Sequence, residues 1–227
     1  ETVSAARTRI LAAAALLSAT LTILSAPLAM PALAFLFKPL TTLLVIAHAW
    51  PRGRELPALR RAVLAGLLLS LMGDVALLWP ESGFLTGLLS FLLAHLAYLH
   101  AFTRVRPLAS WWPAFAAYAL LAGSILAALW PGVPAPLRAP VAVYVTCLAA
   151  MAAQAAVLGW RARGTDAAAR SALLALGGAL FVCSDALLAT HRFAVALPWS
   201  GLLILSTYWT AQWCIASWLA PPGPKDE

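Results

Sequence analysis

The chain has 227 residues, of which 63% are hydrophobic and 10% are charged, and its formal net charge is +7. A soluble domain needs far more polar surface than this composition supplies, so a water-soluble globular protein is excluded. Cys147, Cys183 and Cys214 lie scattered in apolar runs without a CxxC pair. We interpret them as packing residues and not as a disulfide framework or a metal site.

Eight apolar runs follow one another along the chain, and each is close to the ~20 residues that cross a bilayer as a helix. They cover residues 10–27, 31–50, 60–78, 82–102, 111–130, 138–160, 170–189 and 198–219. The connections between them are short and rich in Pro, Gly and charged residues. The sequence therefore predicts an all-α polytopic membrane protein, with eight transmembrane helices in a single integral-membrane domain over residues 1–227. The first run resembles a signal peptide, but the seven spans after it favour an uncleaved helix.

The basic residues lie mainly in alternate connections. Twelve of the 15 Lys and Arg side chains fall in one set of loops and termini, which holds Arg7, Arg9, Arg52, Arg54, Arg60, Arg61, Arg104, Arg106, Arg161, Arg163, Arg170 and Lys225. The other set holds only Arg138 and Arg192, and Lys38 lies inside a span. This asymmetry predicts a protein of the cell (cytoplasmic) membrane with both termini in the cytosol. The positive charge is thus a topology signal, and we expect no nucleic-acid partner.

Few polar side chains remain inside the predicted spans. They are Lys38, Asp74, His95, Asp185 and Gln212, with Tyr98, Tyr208, Ser70 and Ser184 beside them. A charged side chain at mid-bilayer costs ~2.5–3.5 kcal/mol on insertion scales, so such residues usually face a protein interior or a wet cavity. Two aspartates and a lysine together predict a functional site.

The helical rise of ~1.5 Å per residue gives these side chains an approximate depth. By this estimate Asp74 and Asp185 each lie ~6 Å from the outer edge of the bilayer, and Lys38 lies ~10 Å from it. His95 and Gln212 come out ~20 Å from that edge, as a second polar layer without obvious contact to the first. His191 falls in the short outer loop after the seventh span, where it is a candidate for binding or proton exchange.

The two aspartates lie in similar sequence segments. The segments SLMGDVALL and FVCSDALLA each place a small residue and Asp before a similar apolar tail, 111 residues apart. Each aspartate lies in the third span of a four-span half, and Tyr98 and Tyr208 occupy matching places in the following helices. The pattern predicts a 4+4 parallel internal repeat about an axis along the membrane normal. Such an axis would bring the two carboxylates to one depth near the centre of the bundle.

Structural roles compete with functional ones at each position. The aspartates could pair with Lys38 or with hydroxyl groups to fix helix packing. Lys38 precedes Pro39, so it could merely line a helix kink. His95 lies three residues before Tyr98, on one face, and a packing role fits it as well as a chemical one. Gln212, one turn after Tyr208, is more typical of helix packing than of chemistry.

Short motifs spread over nearly the whole chain resemble those of the YhhN-like lysoplasmalogenases. They are KP at 38–39, GD at 73–74, F-x-x-AH-x-x-Y at 91–98, LF-x-x-SD-x-LL at 180–188, a following Phe at 193 and Y-x-x-AQ at 208–212. The resemblance implies an eight-span membrane hydrolase that cleaves the vinyl ether of lysoplasmalogens. Its substrate would be a lysophospholipid in a membrane, and its products a fatty aldehyde and glycerophospho-choline or -ethanolamine.

The chemistry of a vinyl ether matches the polar residues independently. Hydrolysis needs one group that is protonated near neutral pH and one anion that stabilises a cation or activates water. Two carboxyls brought close can supply both, because like charges at short range cannot both ionise, and glycosidases follow the same logic. Asp74 and Asp185 are therefore the predicted catalytic pair. The predicted substrate-binding or tuning residues are Lys38, His95, Tyr98, His191, Tyr208 and Gln212, and neither a metal nor another cofactor is expected.

Other classes of membrane protein use similar residues. A proton-coupled transporter using the same aspartates is the main alternative. It would more typically show broken spans with interior Gly or Pro, and the only clear interior proline is Pro39. An intramembrane aspartyl protease would need a G-x-G-D motif, which Leu71 excludes. A purely structural or receptor-like protein would leave the two aspartates without a reason.

Overall fold

A computed structural model describes residues 3–223, which fold into eight α-helices and two short 3-10 turns, with no strand in this range. The helices are α1 (Val3–Leu24), α2 (Pro31–Ala49), α3 (Pro57–Ala76), α4 (Phe84–Thr103), α5 (Trp112–Leu129), α6 (Arg138–Arg161), α7 (Ala168–Phe193) and α8 (Ser200–Trp218). The turns Trp130–Gly132 and Ala135–Leu137 join α5 to α6. The all-α prediction is confirmed, and Lys225 lies outside the described residues.

Membrane-spanning character is clear for most of these helices. Six of them are long and apolar enough to cross a membrane by length and composition: Ser4–Leu24, Pro31–Ala49, Phe84–Thr103, Trp112–Gly132, Ala135–Arg161 and Ala168–Phe193. The other two, α3 and α8, carry four of the nine polar residues singled out inside the spans: Ser70, Asp74, Tyr208 and Gln212. The protein is therefore a multi-pass membrane protein, and a count of eight spans stays a prediction.

Helix α6 forms the centre of the bundle. It is the most buried of the candidate spans and packs against α4, α5 and α7. Around it, α7 pairs with α8, α3 with α4 and α1 with α2. Helices α1 and α5 lie at the periphery, with little of their surface buried. The core between the inner helices includes Leu67, Phe102, Met151, Leu174 and Ile215.

The two ends of the bundle differ in charge. At the basic-rich end, Arg52 of the α2–α3 connection donates hydrogen bonds to the carbonyls of Ser217 and Leu219, which closes the end of α8. His48 is buried there, stacked on Trp213 and hydrogen-bonded to Ser217, which ties α2 to α8 at this end. We call the opposite end, which holds the α3–α4, α5–α6 and α7–α8 connections, the basic-poor end.

Helix α7 ends later than the apolar pattern predicts. It continues to Phe193, so His191 belongs to its last turn and not to a loop. The imidazole Nδ1 accepts a hydrogen bond of 2.9 Å from the backbone N–H of Leu197, which holds the following connection against the helix end. The apolar run ended before the helix does, because Thr190, His191 and Arg192 are polar residues that continue the helix.

Candidate active site

A cavity of about 460 Å³ lies at the basic-poor end of the bundle. Its walls are mainly apolar and come from α3 to α8, with one side chain from α2. The polar side chains among them include Lys38, Asp74, Tyr144, Asp185 and Tyr208. Both predicted catalytic aspartates thus line one space, whose size falls in the range of about 300–1,000 Å³ that is typical of ligand pockets.

Asp74 lies on α3 and is only 1% exposed. Its Oδ2 accepts a hydrogen bond of 2.5 Å from the Thr42 hydroxyl of α2 and one of 2.8 Å from the Tyr208 hydroxyl of α8. The Thr42 oxygen in turn accepts a bond of 3.1 Å from the indole N–H of Trp209. Two helices, α2 and α8, therefore each deliver one donor to the same carboxyl oxygen on α3, which stabilises a negative charge at this position.

A second series of hydrogen bonds leads to the same carboxyl from α4. Tyr98 donates to Oε1 of Gln212 at 2.7 Å, and Nε2 of Gln212 donates to the Tyr208 hydroxyl at 3.3 Å. Because Tyr208 donates to Asp74, the deeper polar residues are connected to the aspartate. The prediction of two separate polar layers is therefore wrong for Gln212. The depth estimate failed because a tyrosine side chain bridges more than one helical turn.

Asp185 has simpler surroundings. It lies on α7 and is half-buried, and its Oδ2 accepts one hydrogen bond of 2.5 Å, from the Tyr144 hydroxyl of α6. Among residues 3–223 no hydrogen bond joins it to Asp74. Each carboxyl accepts a hydrogen bond from its own tyrosine, Tyr208 for Asp74 and Tyr144 for Asp185. The two aspartates therefore face a shared cavity without forming a directly bonded pair.

Lys38 lines the cavity from α2, immediately before the helix-internal Pro39. It lies within Coulombic range of Asp74. In the described part of the chain no ion pair within 4.0 Å joins it to either aspartate. This position leaves its ammonium group available both to the Asp74 charge and to an anionic group in the cavity.

His95 lies behind the cavity wall and not in it. The ring is fully buried, with its centroid 4.6 Å from that of Phe181 and 5.3 Å from that of Tyr144. Neither ring nitrogen has a hydrogen-bond partner among the described residues. Tyr98 and Gln212 also lie behind the wall, whereas His191 reaches the cavity from the end of α7. Of the six predicted binding or tuning residues, Lys38, His191 and Tyr208 line the cavity.

Close helix contacts hold the aspartate-bearing helices in place. A Cβ on Gly73 would lie 2.6 Å from the Phe91 ring of α4, and one on Gly66 would lie 2.3 Å from the Tyr98 ring. On α7, a Cβ on Gly177 would lie 3.0 Å from the Ala211 carbonyl of α8. Glycine at these positions lets α3 approach α4, and α7 approach α8, closely enough for the buried hydrogen bonds to form.

The mouth of the cavity carries a charged pair. Arg192, in the last turn of α7, forms a salt bridge of 2.8 Å with Glu81 of the α3–α4 connection. The Arg192 guanidinium also lies 4.9 Å from the centre of the Phe84 ring. Its hydrogen bond and positive charge hold the pKa of the Glu81 carboxyl below its usual range. Arg192 and Glu81 both belong to the cavity lining.

Sequence reasoning missed three residues of this site: Thr42, Tyr144 and Trp209. Tyr144 had a usable signal, since it is one of only four tyrosines in the chain and lies inside a span. Thr42 had none, because a threonine in an apolar helix normally bonds to a carbonyl of its own helix, as Thr146 does here. Trp209 had only a weak signal, as a tryptophan that lies inside a span and away from its ends.

Comparison with known proteins finds one family and several relatives that match this chain. The sequence profile of the YhhN family matches residues 33–219. The Homo sapiens protein named lysoplasmalogenase TMEM86A is 34% identical over 155 residues, which cover 68% of this chain and 63% of the relative. The Bos taurus protein of the same name is 36% identical over 161 residues, with the same coverage of 68% and 63%.

A bacterial relative, the Escherichia coli O157:H7 protein named uncharacterized membrane protein YhhN, is 35% identical over 96 residues, which cover 42% of this chain and 46% of the relative. The chain thus spans less than two thirds of the length of the two lysoplasmalogenase relatives. No solved structure matches.

Proposed function

The chain belongs to the YhhN family, and from this membership and the aspartate-lined cavity we propose that it is an ether hydrolase acting on lysoplasmalogens. The reaction cleaves the vinyl ether of a 1-alkenyl-glycerophosphocholine or -ethanolamine and releases a fatty aldehyde and the glycerophospho-alcohol. The names of the mammalian relatives support this substrate. The observation that carries the proposal is that Asp74 and Asp185 line one mainly apolar cavity.

In this reaction the first step adds a proton to the alkenyl carbon that is not bonded to oxygen. The electron pair of the double bond forms the new C–H bond, and the positive charge is shared between the neighbouring carbon and the ether oxygen. Water then adds to that carbon and loses a proton, which gives a hemiacetal. In the collapse of the hemiacetal its hydroxyl loses a proton and becomes the aldehyde carbonyl, the carbon–oxygen bond to glycerol breaks, and the glycerol oxygen takes up a proton.

The two aspartates suit different parts of this sequence. We assign the anionic role to Asp74, because two hydrogen-bond donors and the nearby Lys38 stabilise a negative charge there. It would stabilise the cation and accept the proton of the attacking water. We assign the proton-donor role to Asp185, which has a single donor, Tyr144, and is the more exposed of the two.

The apolar walls have a chemical purpose in this scheme. Side chains such as Leu88, Leu126 and Leu148 surround the cavity and would hold the hydrocarbon chain of the lipid. They would also exclude most water, which strengthens the attraction between the cation and the Asp74 carboxylate. The lining does include His191 and the serines Ser184 and Ser200, but among the described residues no hydrogen bond joins a serine to the histidine, as an esterase would need.

Supporting roles follow from the positions of the remaining residues. Tyr208 would hold Asp74 in place, and Gln212 and Tyr98 would fix the Tyr208 hydroxyl from behind. Lys38 would tune the charge of Asp74. His95, packed against Tyr144, would position that tyrosine and not touch the substrate. His191 would shape the cavity mouth.

For the topology we propose eight spans with both termini in the cytosol of a cell whose cytoplasmic membrane holds the protein. The mouth of the cavity would then face the outer leaflet. A 4+4 repeat is supported by the packing, since the pairs α1–α2, α2–α3, α3–α4 and α4–α6 recur as α5–α6, α6–α7, α7–α8 and α8–α2. Gly66 and Gly177 add to this support, because each lies eight residues before its aspartate at a close helix contact.

Matched lipids test the proposed reaction. The purified full chain should release aldehyde from a 1-alkenyl lysophospholipid and no fatty acid from the 1-acyl lipid with the same chain and head group. The saturated 1-alkyl ether should bind and inhibit, because it has no double bond to protonate. Fatty-acid release in excess of aldehyde release would contradict the proposal and indicate a lipase.

A further inference from the structure

The charged pair at the cavity mouth has an arrangement that a packing role does not explain. In the described part of the chain, Glu81 is the one acidic residue at the basic-poor end outside the helices. It projects into solvent, with a side chain that is 86% exposed, whereas the Arg192 side chain is 28% exposed. An ion pair this exposed to solvent contributes little to the stability of a fold. Holding the end of α7 against the α3–α4 connection is therefore a weak reason for this pair.

The order of the two charges is the informative feature. The Arg192 side chain is the less exposed of the two and lies over the Phe84 ring, whereas the Glu81 side chain extends into solvent. This difference in exposure gives the pair an order, with the guanidinium nearer the cavity and the carboxylate nearer solvent. A zwitterionic lipid head group has the same order of opposite charges, with a phosphate next to the glycerol and an ammonium beyond it. Each charge of such a head group would meet its opposite when the hydrocarbon chain occupies the cavity.

We propose that Arg192 and Glu81 form a head-group subsite that selects a phosphodiester followed by an ammonium group, as in ethanolamine or choline lipids. On binding, the phosphate accepts hydrogen bonds from the Arg192 guanidinium, whose planar pair of N–H donors matches two phosphate oxygens. Glu81 then separates from Arg192 and forms an ion pair with the ammonium group of the lipid. One ion pair in the empty protein becomes two in the complex, and a lipid that ends in phosphate alone would leave Glu81 facing a like charge. This subsite rests on the proposed function for the identity of the lipid chain.

Binding of uncleavable lipids tests the subsite without relying on turnover. The probes are a 1-alkyl-glycerophosphoethanolamine and a 1-alkyl-glycerophosphate of equal chain length, titrated into the full chain in a maltoside detergent. The ethanolamine lipid should bind about 5-fold more tightly, as expected for one exposed ion pair. Glu81→Gln should abolish that preference, and Arg192→Met should weaken both lipids. Arg138→Met is the matched control, because Arg138 lies at the same end over the Trp130 ring, and should change neither dissociation constant.

The exchanged pair separates recognition from clamping. The double variant Glu81→Arg with Arg192→Glu keeps an ion pair between the same two segments but reverses the order of the charges. It should bind the ethanolamine lipid about 5-fold more weakly than the wild type. Wild-type affinity in this variant, or an unchanged preference in Glu81→Gln, would overturn the subsite while leaving the hydrolase proposal intact. Selective binding without any aldehyde release would do the reverse.

Discussion

Asp74 and Asp185 occupy similar sequence contexts in the two halves of the chain, yet their surroundings differ. Asp74 is buried and accepts hydrogen bonds from Thr42 and Tyr208, with a lysine in Coulombic range. Asp185 is half-buried and accepts one bond, from Tyr144. A repeated motif has thus been surrounded by different partners. The roles proposed above rest on this difference, with Asp74 as the anion and Asp185 as the proton donor.

The largest effect should come from removing either carboxyl charge. Asp185→Asn should lower kcat by about 10²–10⁴, the usual contribution of a general acid, and Asp74→Asn should cause a loss of similar size because the cation loses its counter-charge. Aldehyde release by purified, folded variants is the measurement. Full activity in both variants would remove the aspartates from the mechanism and with them the comparison.

The two aspartates should differ in how much they contribute to the stability of the fold, with Asp74 contributing more. Asp74→Ala leaves the buried hydroxyls of Thr42 and Tyr208 without their acceptor, which should lower the free energy of unfolding by about 2–4 kcal/mol. Asp185→Ala frees only Tyr144 beside the cavity and should cost about 1 kcal/mol. Unfolding in mixed micelles measures both. Equal losses would mean that the two carboxyls are held alike.

A neighbouring pair of threonines offers a matched test of the Asp74 network. Thr42→Val removes one donor to Asp74 and should lower kcat about 10-fold, since hydrogen bonds to charged groups contribute about 1.5–3 kcal/mol. Thr41→Val is the control, because Thr41 is equally buried but bonds to Ser18 and to the Phe37 carbonyl. If both variants lose activity alike, the effect comes from packing of α2 and not from Asp74.

Lys38 should have the smallest effect. Lys38→Met removes a cation that lies near Asp74 without an ion pair, so we expect kcat to fall about 3-fold, with KM within about 2-fold, from a weakened screened interaction. Steady-state kinetics on the alkenyl lipid decide the point. A rise of KM alone would instead assign Lys38 to the lipid phosphate.

Much of the fold could be predicted from the sequence because each membrane helix corresponds to a single continuous apolar run. The runs gave the number and order of the helices, with errors at their ends where polar residues such as Thr190 and Arg192 continue α7. The cost of burying a charge singled out Asp74, Asp185 and Lys38, and the structure places all three at one cavity.

The partners of those residues were less accessible, because they depend on how each helix is rotated and which helix it meets. Thr42 reaches Asp74 only because α2 packs against α3, and Tyr144 reaches Asp185 only because α6 occupies the centre of the bundle. Apolar helices carry little sequence information about their pairing. The different surroundings of the two aspartates, on which the proposed roles rest, therefore become visible only in three dimensions.

Hydrolysis in deuterium oxide tests the central claim, that a carboxyl group in the cavity protonates the alkenyl carbon. The purified full chain should release an aldehyde with one deuterium at carbon 2, because the exchangeable proton of Asp185 is delivered to that carbon. A fatty-aldehyde standard incubated for the same time corrects for exchange after release. One deuterium per aldehyde in the wild type, with no release above background from Asp185→Asn, is the predicted result. Aldehyde without deuterium at carbon 2 would contradict it.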